Sequence, residues 1–405
     1  MCFPVLERRF AVATDPGRQS PKDAPQYRFG DPNSTSCRRA CVMSDAPANI
    51  KPMIDAPYAP AGRRSQGRLW LGLWLMNALV LLGSLLTFEL LFGRWGYTYF
   101  PPRSAAVDRS FVYRQDLYEP FGEVHYSRDK YGLRNPHGPL GSIRVVTVGG
   151  STTDQRYIAD GETWQDVLQA STGLQVANAG VDGISSRGHI VAVNEWLHRI
   201  ADLRPATYIH YIGINDAEMV WHARSLARYD RSSSDADWSV QIQKRSALFH
   251  LVRQLTARPE KAEFVGHSAI KTSNTNSWKR AEGEFDEVRR YVEQQYMPNL
   301  RTLVALHGAR YERIILASQP LNPALVQWRS DGLFVSGGPN VERLALSLTA
   351  INSTTRDLCK TQVDICTFAD IASAQLVPTD FYDAVHMTPH GAAKLGHLFA
   401  GYFTR

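Results

Sequence analysis

The chain has 405 residues, 44% hydrophobic, 21% charged and 10% aromatic, with 45 Lys and Arg against 39 Asp and Glu. This balance excludes a collagen-like, a fully disordered or a disulfide-scaffold protein and supplies apolar material for one large core. Residues 1–68 hold 11 basic and 6 acidic groups, five of the six excess positive charges. The rest lacks the basic surplus that a phosphate backbone demands, and a nucleic-acid partner is set aside.

Residues 1–68 are rich in Pro, Ser, Asp, Asn and Arg and lack apolar periodicity, a composition that cannot offset the entropy of ordering. They are read as a disordered basic tail without the features of a cleavable signal, and Met43 and Met53 are alternative starts. Residues 69–93 read LWLGLWLMNALVLLGSLLTFELLFG, with Glu89 the single charge. As a helix this run spans roughly 37 Å, more than the ~30 Å hydrocarbon core of a bilayer. Trp70 and Trp74 at one end and Trp95, Tyr97 and Tyr99 at the other suit the two membrane interfaces. Arg63, Arg64 and Arg68 precede the run and Arg94 and Arg103 follow it, which favours the N-terminus inside. The expectation is one transmembrane helix that anchors the chain in a cytoplasmic membrane, with the C-terminal domain on the extracytoplasmic side.

Residues 94–142 form a linker and lead-in segment rich in Tyr, Pro and Arg. From residue 143 to 405, short β-branched runs alternate with longer amphipathic stretches, the signature of a parallel α/β sheet. The strands predicted are 143–148, 174–178, 207–212, 313–317 and 363–368. The helices predicted are 163–169, 188–200, 280–307, 341–358 and 391–403. Residues 217–280 interrupt this rhythm as a polar insertion with one helix, 246–257, and serve as a lid or a plain surface excursion. Cys2, Cys37 and Cys41 lie in the tail. Cys359 and Cys366 either pair across a short loop or remain two buried thiols.

In open α/β sheets ligands collect beyond the carboxyl ends of the strands, so the residues after each strand matter most. These are Gly149-Gly150-Ser151-Thr152-Thr153-Asp154, Asn178-Ala179-Gly180 and Gly213-Ile214-Asn215-Asp216, and near the C-terminus Asp383-Ala384-Val385-His386. A serine hydroxyl is a weak nucleophile that needs a neighbouring base, and histidine has the suitable pKa. Asp383 can fix the imidazole tautomer and stabilise its cation. The amides of Ser151 and Gly180 and the side chain of Asn215 can receive the charge that develops on an acyl oxygen. A metal site built from Asp383, His386 and His390 is disfavoured, because Pro389 interrupts helical spacing and no second cluster completes it. Gly-x-Ser-x-Gly, phosphate-loop and dinucleotide motifs are missing, so no cofactor is implied.

In content and order these blocks resemble the SGNH hydrolases, also called the GDSL esterase/lipase family, over about residues 143–405. Ser151 takes the position of the family nucleophile, Gly180 and Asn215 match its oxyanion glycine and asparagine, and Asp383 and His386 match its terminal Asp-x-x-His. Tyr131-Gly132-Leu133-Arg134-Asn135 is similar to the lead-in of some envelope members. Gly150 stands where the family name places Asp, a form that resembles a GGSTT subgroup. The resemblance implies a three-layer α/β/α, flavodoxin-like domain that cleaves acyl or acetyl esters through an acyl-serine, with an acylated small molecule, glycan or lipid as substrate. Transfer of the acyl group to a glycan hydroxyl, or an inactive envelope scaffold on the same fold, are the alternatives.

Overall fold

The computed structural model describes residues 63–134, 137–232, 234, 238–256, 262–265, 284–329, 332–335 and 339–403; the three tail cysteines and Asn135 lie outside them. The apolar run is a single helix, α1 (Arg63–Phe92), which begins six residues ahead of the predicted start. Within it, Gly67–Phe92 has a mean hydropathy of 2.0 and is long and apolar enough to cross a membrane. Its Leu, Trp and Val side chains are exposed on every face, which a core helix of a soluble domain would not tolerate.

Glu89, the one charge in the apolar run of this helix, is used by the domain. Its carboxylate accepts hydrogen bonds from Ser246 Oγ and from the backbone N–H groups of Ala247 and Leu248, at 3.1, 3.2 and 3.0 Å. Those donors open α7 (Ala247–Thr256), so a residue of the apolar helix caps a helix of the insertion. Arg94 N–H also donates to the Arg245 carbonyl, at 2.8 Å. Glu89→Ala is expected to cost about 1 kcal/mol of local capping. Hydrogen exchange at the Ala247 and Leu248 amides should then speed up roughly fivefold, with Glu89→Gln intermediate.

The lead-in segment is more than a linker. β1 (Arg109–Gln115) and β2 (Gly122–Arg128) pair antiparallel, and β6 (Glu263–Val265) of the insertion joins β1 in parallel. Inward-facing Tyr113, Val124 and Tyr126 pack with Phe111, Tyr157 and Val265 into a small core of their own. The alternation that marks β2 is disguised by Arg128, which continues the inward face of Val124 and Tyr126 as a buried cation.

The main sheet holds β3 (Ile143–Gly149), β4 (Gln175–Asn178), β5 (Thr207–Tyr211), β7 (Arg313–Ala317) and β10 (Cys366–Ala369), all parallel, in the order β4-β3-β5-β7-β10. That is the flavodoxin-like order 2-1-3-4-5, with the switch point between β3 and β5. One face packs Val145, Ile209, Tyr211 and Ile315 against α3 (Trp164–Thr172) and α11 (Pro389–Ala400), through Trp164, Leu168, Leu395 and Phe399. The other packs Val146, Val148, Ile314 and Leu316 against α4 (Ser186–Val191), α5 (Ile214–Leu226), α8 (Glu284–Tyr291), α9 (Met297–Gly308) and α10 (Pro339–Thr361) and their connections. The three-layer α/β/α expectation is met. A short hairpin, β8 (Val326–Arg329) with β9 (Gly332–Val335), stands apart from the sheet.

Several boundaries differ from the sequence pattern. The last strand starts at Cys366 because residues 362–365 turn, with Ile365 and Cys366 N–H donating to the Gln362 carbonyl and Val363 exposed. The stretch 188–200 continues from α4 through a π turn at Ala192–Trp196 into a 3-10 turn at Leu197–Arg199. The predicted helix 280–307 is interrupted by a π turn, Val292–Tyr296, just ahead of Pro298, which lacks the N–H a continuous helix needs. The insertion carries α6 (Trp238–Arg245), α7 and β6, and its first residues belong to α5. Cys359 and Cys366 form a disulfide that links the end of α10 to β10.

Candidate active site

β3 ends at Gly149, and after Gly150 the chain turns directly into the four-residue helix α2 (Ser151–Asp154). This sets Ser151 beyond the carboxyl edge of the sheet, at the switch point. His386 arrives from the loop ahead of α11, and its Nε2 lies 2.8 Å from Ser151 Oγ. His386 Nδ1 lies 2.7 Å from Asp383 Oδ2. The second carboxylate oxygen, Oδ1, accepts the N–H groups of Val385 and His386 at 2.8 and 2.7 Å, so the Asp-x-x-His loop orients its own acid. With Nδ1–H donating to Asp383, Nε2 is left as the acceptor for the serine hydroxyl. Tyr382 stacks on the imidazole, with ring centroids 5.5 Å apart.

The electrostatics support proton transfer at this pair. Burial alone would push the His386 pKa down; the hydrogen bond and charge of Asp383, with smaller contributions from Asp182 and Glu218, outweigh it and raise the value above 6.5. Burial would raise Asp383, but the hydrogen bond and charge of His386 prevail and lower it. A base must be neutral to accept the serine proton, so activity is expected in full above the raised His386 pKa and lost as pH falls through it. In a pH profile of kcat/KM the acid limb should therefore lie above 6.5. In Asp383→Asn the raising contribution is gone, and any residual limb should move to lower pH.

Asn215, in the first turn of α5, donates from Nδ2 to the Ile184 carbonyl at 2.8 Å. One amide hydrogen is thereby fixed and the other remains available. A Cβ added to Gly150 would lie 2.1 Å from that Nδ2, so the asparagine amide sits directly on the residue that precedes Ser151. The glycine is required by space, since its φ of −81° suits any residue. An aspartate at 150 would have to displace Asn215, which gives the Gly-Gly-Ser form a local reason.

Gly180 is placed differently from expectation. Its N–H donates to Asn178 Oδ1 at 2.8 Å, and its Cα presses on the backbone of Thr153 and Asp154, where a Cβ would come within 2.3 Å of Asp154 N. The amide assigned to an oxyanion is already engaged, and the glycine serves the close approach of β4 to α2. Gly183, passed over in the sequence, has a φ of +81° in the turn just ahead of Ile184, and its N–H makes no hydrogen bond among the described residues. The signal that could have singled it out is a second glycine three residues after the first, in a loop that must curl back toward Asn215.

Other unforeseen residues hold the nucleophile turn. Arg134, fully buried, donates to the carbonyls of Asp154, Gln155 and Ile158 and stacks over Tyr126. Asp154 Oδ1 accepts from Tyr126 Oη at 2.9 Å and from Arg128 Nη2 at 2.8 Å. Asn178 Nδ2 donates to the Thr153 carbonyl, and Gln319 links Thr152 to the Tyr211 carbonyl. The conspicuous Arg of the lead-in motif is thus a plug behind α2. His390 is exposed and lies 3.7 Å from Asp380 Oδ1, which also pairs with Lys394 at 2.9 Å. Among the described residues it forms no metal-ligand group with Asp383 and His386.

No family model and no curated protein matches the chain. Solved structures do resemble it. A lipolytic protein of the G-D-S-L family from Veillonella parvula shares 13% identity and a TM-score of 0.37, over 65% of this chain and 99% of that one. A variant of an acetyl xylan esterase from Geobacillus stearothermophilus shares 15% identity and a TM-score of 0.37, over 65% and 94%. An α/β hydrolase from the metagenome of Lake Arreo, Spain, shares 15% identity and a TM-score of 0.35, over 66% and 100%. These are distant likenesses that carry no weight for function.

Proposed function

We propose that the chain is a membrane-anchored serine ester hydrolase of the SGNH type. The observation that carries this reading is the continuous relay from Ser151 Oγ through the His386 imidazole to the Asp383 carboxylate, at 2.8 and 2.7 Å. Ser151 Oγ attacks the acyl carbonyl carbon while His386 Nε2 takes the hydroxyl proton. The tetrahedral oxyanion is received by the Ser151 N–H, which heads α2 without an intrahelical acceptor, by the free amide hydrogen of Asn215 and by the Gly183 N–H. Collapse breaks the ester C–O bond, and His386 gives its proton to the leaving alkoxide. Water, deprotonated by the same imidazole, then resolves the acyl-serine into a carboxylic acid and the free serine.

Residues 143–405 form the hydrolase domain in this reading, α1 is the single membrane span, and the arginines before it keep the N-terminus on the cytoplasmic side. The substrates are then acyl or acetyl esters on glycans or lipids at the outer face of the membrane. The test is product analysis on the full chain in detergent, supplied with a short-chain chromogenic ester and an acetylated glycan. Hydrolysis predicts free acid in one-to-one yield with the alcohol, with or without an added sugar acceptor. Acyl-sugar as the main product would replace hydrolase with transferase.

A further inference from the structure

A cavity of about 460 Å³ lies between β1, residues 103–107 and the α6–α7 pair, and Asp154, Val181 and Asp182 form its inner wall. It is distinct from the Ser151–His386 contact, yet it shares the 180–184 loop whose Ile184 carbonyl holds Asn215. Six cationic side chains line it against three carboxylates. Two of the cations are matched: Arg128 pairs with Asp154 at 2.8 Å, and Arg156 lies 3.5 Å from Asp182. Two others have no carboxylate partner among the described residues. Arg109 lies over the Phe111 ring at 5.3 Å, and Lys244 donates to the Pro102 carbonyl at 3.0 Å.

Lys244 reports the resulting field. Burial first, and then the charges of Arg128, Arg103 and Arg245, push its pKa down to about 7. A cluster of cations that depress one another is stabilised by an anion placed among them, and Arg and Lys together suit phosphate oxygens. The size falls within the range of about 300–1,000 Å³ of small-molecule sites. Its position favours a ligand from the membrane. The outer wall is α6–α7, which Glu89 ties to the end of the apolar helix, and further along α7 Val252 and Leu255 are exposed. A pocket with Arg and Lys near the end of a membrane span can receive the phosphate of a headgroup through charge-assisted hydrogen bonds.

We propose that this cavity is an anion subsite that holds a phosphate or diphosphate group, so that the ester presented to Ser151 belongs to a phosphate-bearing molecule, and a membrane lipid or lipid-linked glycan in particular. The proposal rests on the esterase reading and deepens it. The cavity fixes the charged head, and the acyl group lies toward the 180–184 loop and the serine.

The experiment uses the full chain. Inorganic diphosphate is titrated against the detergent-solubilised protein, and the titration is repeated in phosphatidylcholine nanodiscs with and without phosphatidylglycerol. Wild type and Ser151→Ala should bind diphosphate saturably, and Arg109→Gln and Lys244→Gln should each weaken binding about tenfold or more. Competition by phosphatidylglycerol assigns the phosphate to lipid, and its absence assigns it to a soluble phosphorylated compound. Lack of saturable diphosphate binding, or binding unchanged in both variants, overturns the subsite. Arg109 is exposed, so its replacement spares the fold, and fluorophosphonate labelling of Ser151 in the wild type and in the Arg109→Gln and Lys244→Gln variants confirms a folded centre. Labelling without diphosphate binding refutes the cavity alone; binding without labelling refutes the esterase reading, and with it the assignment of the bound group to an ester substrate.

Discussion

Ser151→Ala is expected to lower kcat on a chromogenic acetyl ester by about 10⁴-fold or more with little change in KM. The substitution removes one oxygen, whose partner is His386 Nε2, and leaves α2 intact, because its N-cap, Gly150, makes no side-chain capping bond. The nucleophile is lost, while the oxyanion donors and the frame of Arg134, Asn178 and Gln319 stay in place. Thermal unfolding should therefore be unchanged. Initial rates and a melting curve on the same samples check both statements. A residual rate within tenfold of wild type would remove Ser151 from the chemistry.

Gly150→Ala is expected to lower kcat by about 100- to 1,000-fold, the usual loss for one oxyanion donor. The new Cβ would lie 2.1 Å from Asn215 Nδ2, so the amide must leave the Ile184 carbonyl and its place beside Ser151. The atom that moves is the end of a side chain, so the fold should tolerate the change better than the reaction does. Asn215→Ala should produce a loss of the same order, and the double variant should lose little more than either single one, since both act through one amide. Steady-state kinetics of the three variants test this. Additive losses would mean that Gly150 and Asn215 act independently.

Much of the catalytic half of the fold could be read from the sequence, because its strands are short β-branched runs and its key residues follow them directly. Arg313–Ala317 matches the predicted strand at both ends, and Ile143, Gln175 and Thr207 begin strands within one residue of expectation. The joining of Ser151 with Asp383 and His386 could be expected only from the resemblance of the motif order, since no local pattern links positions 235 residues apart. What was illegible depended on tertiary partners. The β1–β2 hairpin hides behind an inward Arg128 made tolerable by Asp154, Tyr126 and the carbonyls of Gly132 and Gly180, and β6 exists because the β1 edge is there to receive it. Glu89 looks like an intruder in an apolar run until its acceptors find the start of α7. Of the two glycines of the 180–183 loop, the sequence pattern singles out Gly180 and passes over Gly183. Their roles separate only when Asn178 Oδ1 is seen to occupy the Gly180 amide.

The central claim is that His386 activates Ser151. The most direct measurement is peptide mapping by mass spectrometry after fluorophosphonate treatment, with wild type and His386→Ala side by side. The account predicts a single adduct on Ser151 in the wild type that is lost or slowed by orders of magnitude in the variant. A folded wild-type protein that takes up no label, or a variant labelled at the wild-type rate, would contradict it.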